Sequence, residues 1–350
     1  MTDNNQLVSF VVLAYNQERF IAVAVRGALS QTYAPLEIIL SDDCSPDQTF
    51  AIIQQEVAKY HGNHKVVVNR NAHNLGLGAH INRAMELASG QFIVLAGGDD
   101  ISLPERVAEL YAVYARSPET VFAVFSNAIL IDEAGNQEMV CITAPDPQEW
   151  SLSWMAKRGG GTLGCTQGWD RKIFDLFGRI DDGVVREDMV IPFRAALLGE
   201  VVFLDKQLVL YRRHATNVLL KDINEVKTAT QLHLALLKHA DSNIATYRTR
   251  LQDVDTFQRL FPDRQQSLMS IRKHTLKGLQ EMENHKALLL SDNPFKRIGI
   301  IGRAIMSGTR FRVIVRWILT FFFPQLYLYY QERLMNKLHP QTRVEEGKIV

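Results

Sequence analysis

The stretch from Val94 to Val107, VLAGGDDISLPERV, sets two adjacent carboxylates, Asp99 and Asp100, after an apolar run and two glycines. Carboxylate oxygens are hard ligands suited to Mg²⁺ or Mn²⁺, and a cation held by few of them usually shares its remaining positions with phosphate oxygens. The same pair would also serve as a helix start before Leu103, where acids meet orphan amides and the helix dipole. A second pair, Asp42–Asp43, ends the apolar run LEIIL, and it too precedes a helix start at Pro46. A third, Glu187–Asp188 in VREDMVIPFRAALLGE, opens a helical pattern and offers a carboxylate for general-base work or for simple capping. The run YRRHATN adds Arg212 and Arg213, whose guanidinium groups match phosphate geometry, and His214, a metal or diphosphate ligand or a structural histidine.

These residues need elements to carry them. LVSFVVLAYN reads as a buried strand ending at Tyr15–Asn16, QERFIAVAVRGALSQ as a helix, LEIILSDD as a second strand, and SPDQTFAIIQQEVAKY as a helix capped by Ser45 with Pro46 in its first turn. HKVVVNR, the helix LGLGAHINRAMELASG, the strand QFIVLAGG and the helix SLPERVAELYAVYARSP continue the alternation. Buried strands alternating with helices make a mostly parallel sheet flanked by helices, an α/β fold of Rossmann-like character. Ligands of such sheets sit beyond the carboxyl ends of the strands, where all three of Tyr15–Asn16, Asp42–Asp43 and Asp99–Asp100 fall. From about residue 120 the pattern changes: strands around a Glu-Ala-Gly-Asn turn, the glycine-rich run 159–164, a helix, the acid-led helix at 187, and two short strands in EVVFLDKQLVLYRRH. The glycine run lacks the Lys-Ser/Thr of a phosphate loop; it suits either the approach of an acceptor or an ordinary turn. Trp169 is placed to stack on a sugar face or to pack in the core.

The chain has 350 residues, 47% hydrophobic and 22% charged, with a net charge of +1. That composition describes a globular protein with no bulk electrostatic pull toward nucleic acid. Cys44, Cys141 and Cys165 show no metal or redox spacing and read as reduced thiols of a cytoplasmic protein. The polar start MTDNNQ and the short apolar run after it do not form a signal peptide.

The ordered motifs VSFVVLAYNQERF through DDCSPDQT, then NLGLGAHINRAMELASGQFIVLAGGDD, resemble the family 2 glycosyltransferases of the GT-A fold, closely over residues 7–107 and more loosely to about 218. The resemblance implies inverting transfer of a sugar from a nucleotide-diphosphate donor, with Mn²⁺ or Mg²⁺ as cofactor. It implies that Leu13, Ala14 and Tyr15 line the nucleotide pocket, that Asp42 and Asp43 meet base or ribose, and that Arg83 lies in the helix bordering the donor. Asp99 and Asp100 take the place of the metal-binding Asp-x-Asp motif, one on the ribose and the other on the metal, with His214 completing the site. Gly97 departs from the pattern, standing where many members have an aspartate. Asp188 takes the place of the base and Glu187 that of an orienting neighbour, while Arg212, Arg213 and Trp169 would serve the diphosphate or acceptor.

On this reading residues 1–221 are the catalytic domain, with a nucleotide-sugar half to about 107 and an acceptor half beyond it, and 222–350 form a helical C-terminal region. The apolar, aromatic stretch 311–334, interrupted by Arg312 and Arg316 and kinked by Pro324, suits a helix lying in a membrane interface or one packed internally or on a second subunit. Interface contact would fit a glycan or lipid-linked acceptor, peripheral placement on the cytoplasmic membrane face, and cell-surface polysaccharide assembly. Two other readings remain: a nucleotidyltransferase, which would want a basic glycine-rich loop after the first strand, and a non-catalytic subunit with a decayed metal site.

Overall fold

A computed structural model describes residues 6–141, 150–159, 162–214, 229–309 and 311–322. The chain divides into two compact units, one of residues 1–221 with 241–279, the other of 222–240 with 280–350. Segment 241–279 thus packs into the first unit rather than with the rest of the C-terminal region.

The first unit opens with β1 (Val8–Ala14), α1 (Ile21–Leu29), β2 (Leu36–Asp42), α2 (Thr49–Ala58), β3 (Lys65–Arg70), α3 (Leu77–Leu87) and β4 (Phe92–Gly97). β3, β2, β1 and β4 lie side by side in that order, all parallel. Both faces of this sheet are covered, which is why the strands read as unbroken apolar runs. Phe10, Val12, Ile38, Leu40 and Val94 point into one cluster with α1, and Val11, Leu13, Ile39 and Ile93 into another with α3. Beyond β4 come β5 (Ile101–Ser102), α4 (Arg106–Arg116), β6 (Val121–Ile131), β7 (Gln137–Cys141), α5 (Leu152–Arg158), β8 (Gln167–Asp170), α6 (Lys172–Phe177), α7 (Glu187–Leu198) and β9 (Glu200–Arg212). They extend the sheet as β8-β6-β9-β5, with β7 on β6. β8 runs antiparallel to both neighbours, and β6 and β9 are parallel.

Three local expectations are corrected. Ser45 does not cap α2, which starts at Thr49; the Ser45 hydroxyl turns back to Asp42 and its Oγ accepts the Asn16 N–H at 2.9 Å. The helix read from Ser102 onward starts only at Arg106, because Ile101 and Ser102 pair with β9. EVVFLDKQLVLYR is one 13-residue strand: it pairs with β6 on both sides of its polar middle, and the register shifts between Leu204 and Val209.

The long helices α8 (Ala229–Leu260) and α9 (Gln265–Leu289) follow. Their residues within 241–279 close a third cluster of the first unit, where Val254, Phe257, Leu268 and Ile271 meet Phe125, Met155, Phe193 and Leu197. In the second unit, Leu288 joins α10 (Pro294–Met306) and α11 (Phe311–Phe322) through Ile300, Ile301, Ala304, Ile314 and Trp317. No helix among the described residues is long and apolar enough to cross a membrane. Residues 323–334, including Pro324, lie outside the described residues.

Candidate active site

The carboxyl ends of β1, β2 and β4 form one rim, tied together by backbone. Asp43 N–H donates to Ala14 O at 2.9 Å, and Gly98 N–H to Leu13 O at 2.8 Å. Leu13 and Ala14 are therefore buried floor with their carbonyls engaged, whereas the Tyr15 ring is exposed at the rim. Asn16, next in line, takes a positive φ of 56° to turn the chain away from the strand.

Asp42 and Asp43 are drawn into the fold. Asp42 accepts the hydroxyl and N–H of Ser45 and lies 3.5 Å from Arg70 Nε. Asp43 accepts Asn71 Nδ2 at 2.7 Å, Leu75 N at 2.9 Å and Gly76 N at 3.0 Å, and so folds the loop 71–76 over the rim. Beneath it His80 Nε2 lies 2.7 Å from Ser41 Oγ, and burial holds the imidazole below its usual pKa against the pull of both aspartates. Arg83 extends from α3 to an ion pair with Glu86 at 3.0 Å.

Asp99 meets His214, and Asp100 lies beside Asp99. His214 Nε2 is 3.0 Å from Asp99 Oδ2, its ring lying against Phe20. Asp100 Oδ1 accepts the Arg212 N–H at 2.9 Å. A Cβ built on Gly97 would sit 2.6 Å from Asp99 Oδ1 and 3.3 Å from Asp100 Oδ2. Both carboxylates thus close over the glycine, and any side chain there would occupy the same space. Burial, then the Asp99 charge, pushes Asp100 well above the ordinary carboxylate range, opposed by the Arg212 N–H, the Cys165 thiol and Arg106. The wholly buried Arg106 holds Ser102 Oγ at 2.8 Å and Leu95 O at 2.7 Å beneath the pair.

Arg212 is corrected from a diphosphate ligand to a clamp. Its guanidinium, buried over the Phe20 ring, donates to the backbone oxygens of Asp99, Asp132 and Glu133 at 2.9 to 3.1 Å. It fastens the end of β9, and with it His214, to the end of β4. Arg213 points outward to Glu138 at 3.1 Å. Trp169 is corrected too: it is 1% exposed on β8 beside Phe174, inside the core, where no sugar reaches it.

The third acid pair, Glu187–Asp188, lies in the first turn of α7. Asp188 Oδ1 is buried without a hydrogen-bond partner, 3.7 Å from Arg186 Nε, which also lacks one. Burial raises the Asp188 pKa, opposed by Arg186 and Arg250. Glu187 is pushed up to about 8, first by burial and then by the Asp188 charge. Its Oε1 fills the space over Gly164, 2.1 Å from where a Cβ would stand. The next residue, Cys165, hydrogen-bonds Asp100. One peptide unit therefore separates the two acid clusters. Of the glycine run, Gly159 ends α5 with a φ of 71°, and residues 160 and 161 lie outside the described residues.

Sequence reasoning missed Arg106, Arg250, His80 and Cys165. Arg250 donates to Met189 O at 2.9 Å and Met155 O at 3.1 Å and so steadies the start of α7. Its only sequence signal is a charge on the inner face of a long helix.

Among the described residues no three His, Cys, Asp or Glu side chains are grouped so as to hold a metal ion by themselves. Asp99 and His214, 3.0 Å apart, are donor types that Mn²⁺ or Mg²⁺ accepts, and a bound ligand would have to supply the rest of the shell. Residues 9–156 match the family described as "Glycosyl transferase family 2". These residues form a family 2 glycosyltransferase domain. The match stops short of α7 and β9. Over 130 residues the chain is 35% identical to the chondroitin synthase of Escherichia coli, covering 37% of this chain and 18% of that protein. Over 122 residues it is 31% identical to the E. coli UDP-Glc:alpha-D-GlcNAc-diphosphoundecaprenol beta-1,3-glucosyltransferase WfaP, covering 35% of this chain and 46% of WfaP. The chain thus spans less than half the length of either relative.

Among solved structures, Staphylococcus aureus TarS 1–349 with UDP-GlcNAc superposes with a TM-score of 0.51 at 15% identity, covering 93% of this chain and 92% of that one. The mannosyltransferase PcManGT from Pyrobaculum calidifontis, in complex with GDP-Man and Mn²⁺, gives 0.51 at 13% identity, covering 95% and 87%. At that identity the likeness is one of fold, and the fold is GT-A.

Proposed function

We propose that the protein is an inverting glycosyltransferase that moves a sugar from a nucleotide-diphosphate donor to an acceptor hydroxyl. The observation that carries this reading is the Asp188 oxygen, buried, without a hydrogen-bond partner and of raised proton affinity, in the acid pair that packs on Gly164 next to the Cys165 thiol that meets Asp100. An unsatisfied buried carboxylate oxygen is costly and is retained where a ligand completes it.

In the reaction the acceptor oxygen forms a bond to the anomeric carbon from the face opposite the donor phosphate. Asp188 takes the hydroxyl proton, and the anomeric carbon–oxygen bond breaks with its electron pair leaving on the nucleoside diphosphate. Glu187, protonated up to about pH 8, is able to donate a hydrogen bond to the acceptor without competing for that proton. Asp99, Asp100 and His214 would hold Mn²⁺ or Mg²⁺, which supplies charge neutralisation for the departing diphosphate. Tyr15 at the rim offers a face for the base, with Leu13, Ala14, Asp42 and Asp43 building the floor and loop around it. The names of these relatives support a glycan or lipid-linked acceptor in polysaccharide assembly; peripheral placement on the cytoplasmic membrane face belongs to the same proposal.

The test is turnover of UDP- and GDP-sugars with Mn²⁺, read as nucleoside diphosphate release and as product anomer by NMR. The expected products are the nucleoside diphosphate and the inverted glycoside, with kcat of Asp188→Asn down about 10²–10⁴-fold. Pyrophosphate release would mark a nucleotidyltransferase. Undiminished turnover by Asp188→Asn would remove the base from this scheme.

A further inference from the structure

The second unit carries an apolar surface that its own folding does not explain. α10 buries Ile300, Ile301 and Ala304, yet its opposite face is also apolar. Phe295 is 82% exposed and Ile298 57%, with Ile305 and Met306 completing the stripe at helical spacing. Gly299 and Gly302, in the same stripe, have open space above them, apart from the end of the Arg303 side chain at 3.8 Å from Gly299. α11 repeats the arrangement. It buries Ile314 and Trp317 and turns out Phe311, 80% exposed, with Val315 and Ile318 four and seven residues on. A helix that sits on a protein in water shows a polar outer face. These two are apolar on both sides.

The charges of the segment are of one sign. Between Asn293 and Gln331 there are six basic residues, Lys296, Arg297, Arg303, Arg310, Arg312 and Arg316, and no Asp or Glu, in a chain whose net charge is +1. Lys296 and Arg303 stand exposed beside the α10 stripe. An apolar stripe edged by cations complements an anionic lipid surface, with the side chains entering the acyl boundary and the cations meeting headgroup phosphates. A protein partner would have to match the same stripe with acids of its own.

We infer that α10 and α11 lie in the interface of an anionic bilayer, through Phe295, Ile298, Ile305, Met306, Phe311 and Ile318. The contact is centred on residues 294–318, earlier in the chain than the aromatic stretch 311–334 suggests. Lipid binding by these helices does not depend on the sugar chemistry of the first unit, so the two are read separately.

The experiment is co-sedimentation of the full chain with phosphatidylcholine vesicles and with vesicles containing phosphatidylglycerol, at low and high salt, alongside light scattering. The wild-type chain is expected to sediment with the anionic vesicles and to release at high salt. Replacement of Lys296 and Arg303 by Glu lowers the affinity by about tenfold or more, since each basic residue near such a surface contributes measurably. Phe295→Glu and Ile298→Glu, both at exposed positions, abolish sedimentation with an unchanged melting temperature. Failure of the wild-type chain to bind anionic vesicles would overturn the inference. So would a dimer that Ile298→Glu dissociates in the absence of vesicle binding, because the stripe would then belong to a second copy. If a variant fails to fold, the salt dependence of the wild-type chain still decides.

Discussion

Glu187 is an acid that the fold keeps protonated, and this makes stability depend on pH. Its pKa rises from the ordinary 4.5 to about 8 in the folded chain. Between those values the folded state binds a proton that the unfolded state has released, so the contribution of Glu187 to stability falls as pH rises across the window. Glu187→Gln removes that penalty. Its melting temperature should match wild type near pH 4.5 and exceed it by about 5 °C at pH 8, measured by calorimetry at both values. Gly97 gives a second prediction. In Gly97→Ala the new methyl meets the end of the Asp99 side chain, a flexible group that can swing aside. The expected result is a near-unchanged melting temperature with Asp99 turned from His214, read as a several-fold rise in the Mn²⁺ concentration needed for half-maximal turnover. Asp42–Asp43 and Asp99–Asp100 were legible in the sequence because each follows an apolar run and strand ends face the ligand side, and Glu187–Asp188 because it opens a helical pattern. What their environment does to them was not. Arg106, Cys165 and Arg250 come from segments far apart in the chain, and no spacing rule links them to Asp100 or Asp188.

At the scale of elements, the first four strands and their helices were readable because each is a long run of one period. The exceptions are those where tertiary pairing overrode a local signal. Ser102 looks like a cap, but β9 takes it as a strand residue and its hydroxyl accepts from Arg106. β8 is four residues in a glycine-rich context, too short to show a period, and it exists because β4 and β6 pair with it on either side. Arg212 looked like a phosphate ligand by residue type alone. As a clamp it predicts something different. Arg212→Lys keeps the charge but cannot reach the three carbonyls that the guanidinium fork holds, and lysine has no planar face to lay over Phe20. The variant should lose about 2 kcal/mol in denaturant unfolding and should lose turnover as His214 drifts. A variant with native stability and only a raised KM for the donor would favour a direct diphosphate contact instead.

The whole molecule differs most from its sequence reading at residue 221. A boundary there follows from the end of the family resemblance, and helical periodicity beyond it gives no hint of where those helices dock. In the structure, Val254, Phe257, Leu268 and Ile271 cover Phe125, Met155, Phe193 and Leu197. Asp253 meets the buried Arg194 at 2.9 Å, and Arg250 caps the carbonyls of Met155 and Met189. A chain cut after Lys221 would expose that apolar face and leave the Arg194 guanidinium buried without its carboxylate. Losing one partner of a buried pair costs about 3–5 kcal/mol, and each uncovered large side chain adds about 1.5–3 kcal/mol. Those losses together match or exceed the entire stability of an ordinary domain, about 5–15 kcal/mol. Residues 1–221 alone should therefore show no cooperative transition by calorimetry, whereas the full chain does. Asp253→Asn in the full chain isolates the ion-pair part of that loss and should lower the melting temperature without emptying the core. A cooperative transition in the 1–221 fragment would mean that the third cluster is an accessory to a fold already complete. Asp188 would then keep Arg186 but lose Arg250, the second of the two charges that temper its raised pKa.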